Sequence, residues 1–88
     1  MTQPILELCL GPTGRQLTFV AKPGEKVCIY RRAPHQSQAW ELVARNASSP
    51  FVDPERFPLE TVLEYHAQFI VRENDFQQHS HIARVAIT

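Results

Sequence analysis

The stretch TVLEYHAQFIV at residues 61–71 decides the fold. Its aliphatic and aromatic side chains recur at every second position, at Leu63, Tyr65, Ala67 and Phe69. Successive side chains of a β-strand point to opposite faces, so this spacing places them all on one face. A helix is the main alternative, but apolar residues two positions apart would spread around a helix and form no stripe. The alternation therefore predicts a strand over residues 61–71.

Shorter segments on both sides of this stretch alternate in the same way between turn-forming residues. They predict strands at residues 5–10, 15–21, 26–33, 39–45, 51–52 and 79–87. Turns rich in Gly, Pro and Asn separate most of them, and residues 72–78 are predicted to form a polar hairpin loop. The inward-facing positions predicted outside residues 61–71 are Leu6, Leu8, Leu10, Leu17, Phe19, Ala21, Val27, Ile29, Trp40, Leu42, Ala44, Ala83, Val85 and Ile87.

Seven such strands predict an all-β fold, a seven-stranded antiparallel β-sandwich in which each sheet has one face in water. Eighty-eight residues fit a single domain over residues 1–88 with one thin core. Tyr65 and Phe69 are expected to meet Phe19 and Ile29 in that core.

Charge and hydropathy exclude several classes of partner. Nine basic residues balance nine acidic ones, whereas nucleic-acid binding needs a basic stripe, so no nucleic-acid partner is predicted. No apolar run approaches the roughly 20 residues that span a bilayer, and no signal peptide begins the sequence, so no membrane insertion is predicted. An intracellular protein and a domain of a longer chain both fit, and the compartment is left open.

The two cysteines, Cys9 and Cys28, do not make a disulfide framework. They are interpreted as small semi-buried side chains in strands. A single bridge between them is the alternative, and it would stabilise the fold by a few kcal/mol.

Several segments together suggest a family. Residues 29–32 (IYRR) and 40–44 (WELVA) resemble the third and fourth strands of fibronectin type III domains. Residues 49–53 (SPFVD) resemble the short fifth strand, residues 63–69 (LEYHAQF) the sixth, and residues 80–87 the last. The resemblance extends over residues 4–87 and depends on the order and spacing of these segments.

The sequence departs from the family pattern at three places. Phe19 stands where the second strand usually has a core Trp, and Leu63 replaces the corner Tyr. The tyrosine-corner hydrogen bond is therefore expected to be absent or moved to Tyr65. Residues 73–76 (ENDF) replace a Gly-rich hairpin. A divergent member of the family is indicated.

The resemblance implies a non-catalytic protein-interaction or spacer module, whose partner is another protein or neighbouring domains of a longer chain. Because unrelated functions occur on one fold, this remains an expectation. The alternative is a small structural subunit of a self-assembling filament, phage tail or capsid-like assembly, which would make the chain a homo-oligomer.

His79 and His81 are the best candidates for metal ligands. Residues i and i+2 of a strand share a face, so both rings would be within reach of one ion. A third ligand is missing, because His66 lies on the opposite parity of its strand and Asp75 lies in the predicted loop. These histidines are therefore interpreted as polar residues at the base of a hairpin, and no metal or cofactor is predicted.

No motif predicts catalysis. Ser, His and Asp all occur, but none stands in a recognisable nucleophile turn. Asp53 and Glu55 are predicted turn residues without a cleft between them, and the three glycines are too far apart for a phosphate loop. The chain is therefore predicted not to be an enzyme, with no catalytic, cofactor-binding or metal-binding residue, and its binding residues are left open.

Trp40 is either an exposed anchor for a partner or a core residue, and its alternation with Leu42 favours the core or its margin. Arg15, Arg31 and Arg32 either contact an acidic partner or form a solvated face of a sheet, and the solvated face is favoured.

Glu64 and Arg84 are predicted neighbours on the outer face, where an exposed ion pair contributes at most about 1 kcal/mol. Asn46-Ala47-Ser48 satisfies the glycosylation triplet in a predicted turn, but such triplets often arise by chance.

Overall fold

The computed structural model describes residues 3–71 and 76–88, and these form two antiparallel sheets without any helix. The strands are β1 (Glu7–Gly11), β2 (Gly14–Thr18), β3 (Glu25–Arg32), β4 (Glu41–Ala44), β5 (Phe51–Asp53), β6 (Val62–Val71), β7 (Phe76–His79) and β8 (Ala83–Ala86). The smaller sheet has the order β1-β2-β5, and the larger has β4-β3-β6 with β7 and β8 both paired to β6. Nothing in the described part of the chain is a helix that would cross a bilayer.

The structure confirms the predicted all-β class and the strand over residues 61–71, whereas the described residues form eight strands and not seven. The additional strand is β7, since residues 76–78 pair with β6 and are not part of a loop. Residues 72–75 of the predicted loop, with Asp75 and most of the 73–76 segment, lie outside the described residues.

β7 and β8 are two halves of one edge separated by an irregularity. Gln68 pairs with His79, and Tyr65 pairs with Ala83. Between these two pairs β6 advances by three residues, whereas the opposite edge advances by four. One extra residue is therefore inserted opposite β6, as in a β-bulge.

The core lies between the sheets and contains the predicted quartet. Tyr65, Phe69 and Ile29 are almost fully buried, and Phe19 packs edge-on against Phe69 with ring centroids 6.2 Å apart. The smaller sheet contributes Leu17 of β2, which is fully buried. Each sheet thus turns its apolar positions toward the other.

Four of the predicted inward positions are wrong. Leu10 lies at the end of the β1–β2 hairpin and Ala21 lies beyond the end of β2, so both are exposed. Trp40 and Leu42 are absent from the core because the β3–β4 register shifts between Ile29 and Tyr30. Beyond the shift Leu42 pairs with Tyr30, on the outer face.

Both cysteines are free. Cys9 is exposed on β1, and Cys28 is buried on β3 of the other sheet. The alternative of a disulfide between them is therefore wrong. The predicted semi-buried environment is also wrong for both, because Cys9 is exposed and Cys28 is buried.

Candidate functional site

The outer face of the larger sheet carries a continuous row of aromatic and charged side chains. We call it the Trp40 face, and it consists of Tyr30, Arg32, Trp40, Glu64, His66, Gln68 and His79. These side chains share a face because Tyr30 pairs with His66 and Arg32 with Glu64 across β3 and β6, while His79 pairs with Gln68 across β6 and β7. The alternation that buries Tyr65 and Ala67 turns His66 outward.

Trp40 lies near the middle of this row, immediately before β4. The Arg32 guanidinium lies 4.2 Å from its ring centroid, and the His66 ring meets it edge-on at 4.3 Å between centroids. The indole is half-buried by these two neighbours. Trp40 is therefore a residue of the surface and not of the core.

The aromatic row continues beyond Trp40. His66 stacks on Tyr30 with centroids 4.9 Å apart and planes 14° apart. The Tyr30 hydroxyl donates to Gln68 Oε1 at 3.0 Å, which fixes the orientation of the phenol. Since each ring is held by a neighbour, the face is organised before any ligand arrives.

Glu64 holds the charged end of the face. Arg32 donates from Nε to Oε1 at 2.7 Å, and Arg84 donates from Nε and Nη2 to Oε2 at 2.8 and 2.5 Å. These two arginines lower the pKa of Glu64 from its ordinary value. The predicted Glu64–Arg84 pair is confirmed, but the carboxylate is 3% exposed while Arg84 is 69% exposed.

A second polar group, which we call the Asp53 cluster, lies between the sheets. Asp53 Oδ2 accepts from the Tyr65 hydroxyl at 2.5 Å and from Arg31 Nη1 at 2.8 Å. Arg15 lies 3.2 Å from the same oxygen through Nη2 and donates from Nε to the Tyr65 hydroxyl at 3.0 Å. Arg15 and Arg31 are 5% and 6% exposed. The prediction that they form a solvated face is therefore wrong, because they share the parity of Leu17 and Ile29.

The Asp53 cluster is electrostatically complete. Burial alone would raise the pKa of Asp53, but hydrogen bonds from Tyr65 and Arg31 outweigh it, so the pKa lies below its ordinary value. Burial and the Asp53 carboxylate raise the pKa of Tyr65 far above its ordinary value. Among the side chains that the structure describes, in residues 3–71 and 78–88, no buried polar atom lacks a partner. The cluster joins β2 and β5 to β3 and β6 and presents no activated group to solvent.

The prediction that Asp53 is a turn residue is wrong, since it ends β5 and is buried. The suggestion that the tyrosine-corner hydrogen bond moves to Tyr65 is also unsupported, because the Tyr65 hydroxyl contacts the side chains of Asp53 and Arg15. The sequence signal for this cluster is a charged residue at an alternate position of a strand whose other alternate residues are buried.

The His79-Ser80-His81 segment differs from its interpretation as a simple hairpin base. Ser80 is buried, and its Oγ accepts from the Ala67 backbone N–H at 2.9 Å. His66 lies beside His79 with ring centroids 5.5 Å apart, so the parity argument against it was wrong. In the described ranges, 3–71 and 76–88, no three or more His, Cys, Asp or Glu side chains form a group that would hold a metal ion.

Asn46, the first residue of the glycosylation triplet, lies exposed in a turn with a φ of 51°.

Comparison with known proteins found no match among family models, curated proteins or solved structures.

Proposed function

We propose that the chain is a non-catalytic interaction module with a fibronectin type III-like fold, which contacts a protein partner through the Trp40 face. The observation that carries this proposal is the pre-assembled row of Arg32, Trp40, His66 and Tyr30 on the water-facing side of the larger sheet. The energetics of the Trp40 face support its role as an interface, and the topology of the sheets supports the fold assignment.

The composition of the face is that of an interface centre. Trp, Tyr and Arg dominate the binding energy of protein interfaces, and they do so from well-packed positions. Trp40 and Tyr30 are half-buried and already held by His66, so little side-chain entropy is lost on binding. Arg32 is oriented by Glu64 in the same way.

The strand order supports the fibronectin type III-like assignment. In immunoglobulin-like sandwiches the first, second and fifth strands share one sheet, and the third, sixth and last share the other. Here β1, β2 and β5 form the smaller sheet, while β3 and β6 pair at the centre of the larger one. β7 and β8 occupy the place of a single last strand beside β6.

The test is site-specific photo-crosslinking in the cells that make the protein. A photoreactive residue at Gln38, whose backbone oxygen accepts from Arg32 Nη1 at 3.2 Å, reports on the Trp40 face. The same residue at Val20, which is 84% exposed and lies in the connection between β2 and β3, outside the Trp40 face, is the control. A defined partner should crosslink from position 38, and this crosslink should be lost in the Trp40→Ala variant. Equal crosslinking from both positions, or crosslinks that persist in Trp40→Ala, would contradict the proposal.

A self-assembling subunit is the second candidate, and the edge strand β1 is the observation that favours it. Four of the five β1 residues are exposed, and Leu10 is 49% exposed. The strand contains no Lys or Pro, the residues that usually protect an edge from pairing with another chain. Light scattering and electron microscopy at rising concentration distinguish the two candidates. A stable monomer would contradict the self-assembling subunit, and a large ordered oligomer would contradict the interaction module.

A further inference from the structure

Three of the chain's four histidines line one shallow cavity. His66, His79 and His81 border a space of about 400 Å³ together with Trp40. Residue parity explains the arrangement, because Ser80 points into the protein and is flanked by the exposed His79 and His81. The bulge between β7 and β8 brings this segment past His66 on β6. The fourth, His35, lies in the exposed loop before β4.

The spacing of two of these rings suits a shared metal ion. The ring centroids of His66 and His79 are 5.5 Å apart and their planes are 55° apart. At a metal–nitrogen distance of about 2.0–2.1 Å, two imidazoles on one tetrahedral ion have ring centres roughly 5 Å apart. The separation of the rings therefore leaves room for one ion once a nitrogen of each ring is turned toward it, and the exposed His79 side chain is free to make that movement.

The electrostatic surroundings also permit a cation. Imidazole nitrogens are common metal ligands, and both His66 and His79 line the cavity. Glu64 accepts from Arg32 Nε at 2.7 Å and also binds Arg84, so it compensates the charge of Arg32 in part. Among the described residues that line the cavity there is no Lys or Arg.

We propose that His66 and His79 bind one borderline transition-metal ion, Zn²⁺, Cu²⁺ or Ni²⁺, on the Trp40 face. Imidazole ligands favour these ions over Mg²⁺ and Ca²⁺, which take oxygen ligands. Since no group of three or more metal-ligating residues occurs in residues 3–71 and 76–88, water fills the remaining coordination positions. The proposal concerns the isolated chain and does not depend on any protein partner.

Trp40 provides the readout, because it is the sole tryptophan and lies 4.3 Å from His66 between ring centroids. The untagged full chain is titrated with Cu²⁺ while tryptophan fluorescence is recorded, and Zn²⁺ binding is measured by calorimetry. We expect saturable quenching by Cu²⁺ and one Zn²⁺ per chain. Quenching without saturation, or no heat with Zn²⁺, overturns the site.

The variants His66→Gln and His79→Gln identify the ligands, and His35→Gln is the matched control. Loss of a group that merely supports a ligand weakens metal binding about 10- to 100-fold, so loss of either ligand should weaken it at least tenfold. His35→Gln, which lies outside the cavity, should bind as the wild type does. If His66→Gln binds normally while His81→Gln does not, the proposed pair is wrong. Should His66→Gln fail to fold, the exposed His79→Gln carries the test.

Discussion

Asp53 is the residue on which the contact between the two sheets depends most. One carboxylate oxygen accepts from Tyr65 and Arg31 and lies 3.2 Å from Arg15, while the other accepts from the Glu55 backbone N–H. Glu55 and Glu41 add negative charge at the solvent side of Arg31. Removing the buried carboxylate would leave two buried guanidinium groups with much weaker compensation.

Asp53→Asn should therefore lower the free energy of unfolding by about 3–5 kcal/mol, the range found when one partner of a buried ion pair is removed. Urea unfolding at pH 7 measures the loss. The control is Glu41→Gln, whose carboxylate is 70% exposed and should contribute less than about 1 kcal/mol. Similar losses for both variants would show that the cluster does not hold the sheets together.

The same carboxylate makes stability depend on acid. The pKa of Asp53 in the folded chain lies below its ordinary 3.8, so the unfolded chain binds more protons as the pH falls through that range. The stabilisation is complete above the unfolded pKa and is lost as the pH falls through the folded one. Unfolding from pH 5 to pH 2 should show this slope in the wild type and a shallower one in Asp53→Asn. Parallel slopes would contradict the assignment.

Gly14 permits the close approach of the β1–β2 hairpin to the Asp53 cluster. Its φ is +146°, and a Cβ there would lie 2.2 Å from the Asp53 carbonyl oxygen, which is backbone and cannot yield cheaply. Gly14→Ala should therefore separate β2 from β5 and cost several kcal/mol, beyond the usual range for a single substitution. Thermal unfolding measures it, with Gly11→Ala as the control, because its Cβ would meet only an ordinary contact at 3.5 Å. Equal melting temperatures for the two variants would be inconsistent with this geometry.

At the scale of elements, the break between β7 and β8 is held by one hydroxyl. Ser80 Oγ accepts from the Ala67 N–H and donates to the His81 carbonyl oxygen, both inside the bulge. The Ser80 backbone N–H still donates to the Ala67 carbonyl oxygen at 2.9 Å. The side chain thus replaces a backbone acceptor that the extra residue displaces.

Ser80→Ala should leave the buried Ala67 N–H without its acceptor and cost about 1–3 kcal/mol. Hydrogen exchange at the Ala67 amide should accelerate more than exchange elsewhere in β6. Ser37→Ala is the control, because its Oγ accepts from the Ala39 N–H in an exposed loop. If the Ala67 amide stays as protected as its neighbours in the Ser80 variant, the hydroxyl is not what bridges the bulge.

How far each element could be predicted depends on which force fixes it. The strand over residues 61–71 was predictable because a buried face imposes strict alternation on β6. β7 was missed because an edge strand with the sequence FQQH is specified by backbone pairing to β6 and carries little hydrophobic signal. The face of Trp40 was assigned wrongly because a register shift between β3 and β4 leaves no mark in the alternation.

The Asp53 cluster was predictable in part. Arg15 lies two residues before Leu17, and Arg31 lies two residues after Ile29. Alternate residues of a strand share a face, so both arginines fall on inward positions. The rule that charged side chains remain in water predicts the opposite, a solvated face. The rule fails here because Asp53, from a distant strand, supplies the compensating charge, and no local pattern shows that pairing.

At the scale of the whole molecule, the two sheets share both an apolar core and a buried ionic cluster. Leu17 and Phe19 of one side pack with Ile29 and Phe69 of the other, while the Asp53 cluster ties the same sheets together at β5. Neither sheet keeps a buried face without the other. Unfolding should therefore be one cooperative transition for the entire chain.

The two free thiols make this cooperativity measurable. Cys9 is exposed, whereas Cys28 is buried on β3 between β4 and β6. Cys28 lies on the outer face of β3 but is only 9% exposed, so a thiol reagent should modify Cys9 at once and Cys28 only after an opening that uncovers it. Asp53→Asn should accelerate modification of Cys28 about tenfold for every 1.4 kcal/mol of lost stability. The Cys9→Ser variant isolates the slow reaction. If Cys28 reacts quickly in the native protein, or if Asp53→Asn leaves its rate unchanged, the larger sheet opens independently of the cluster, and the two sheets are not one cooperative unit.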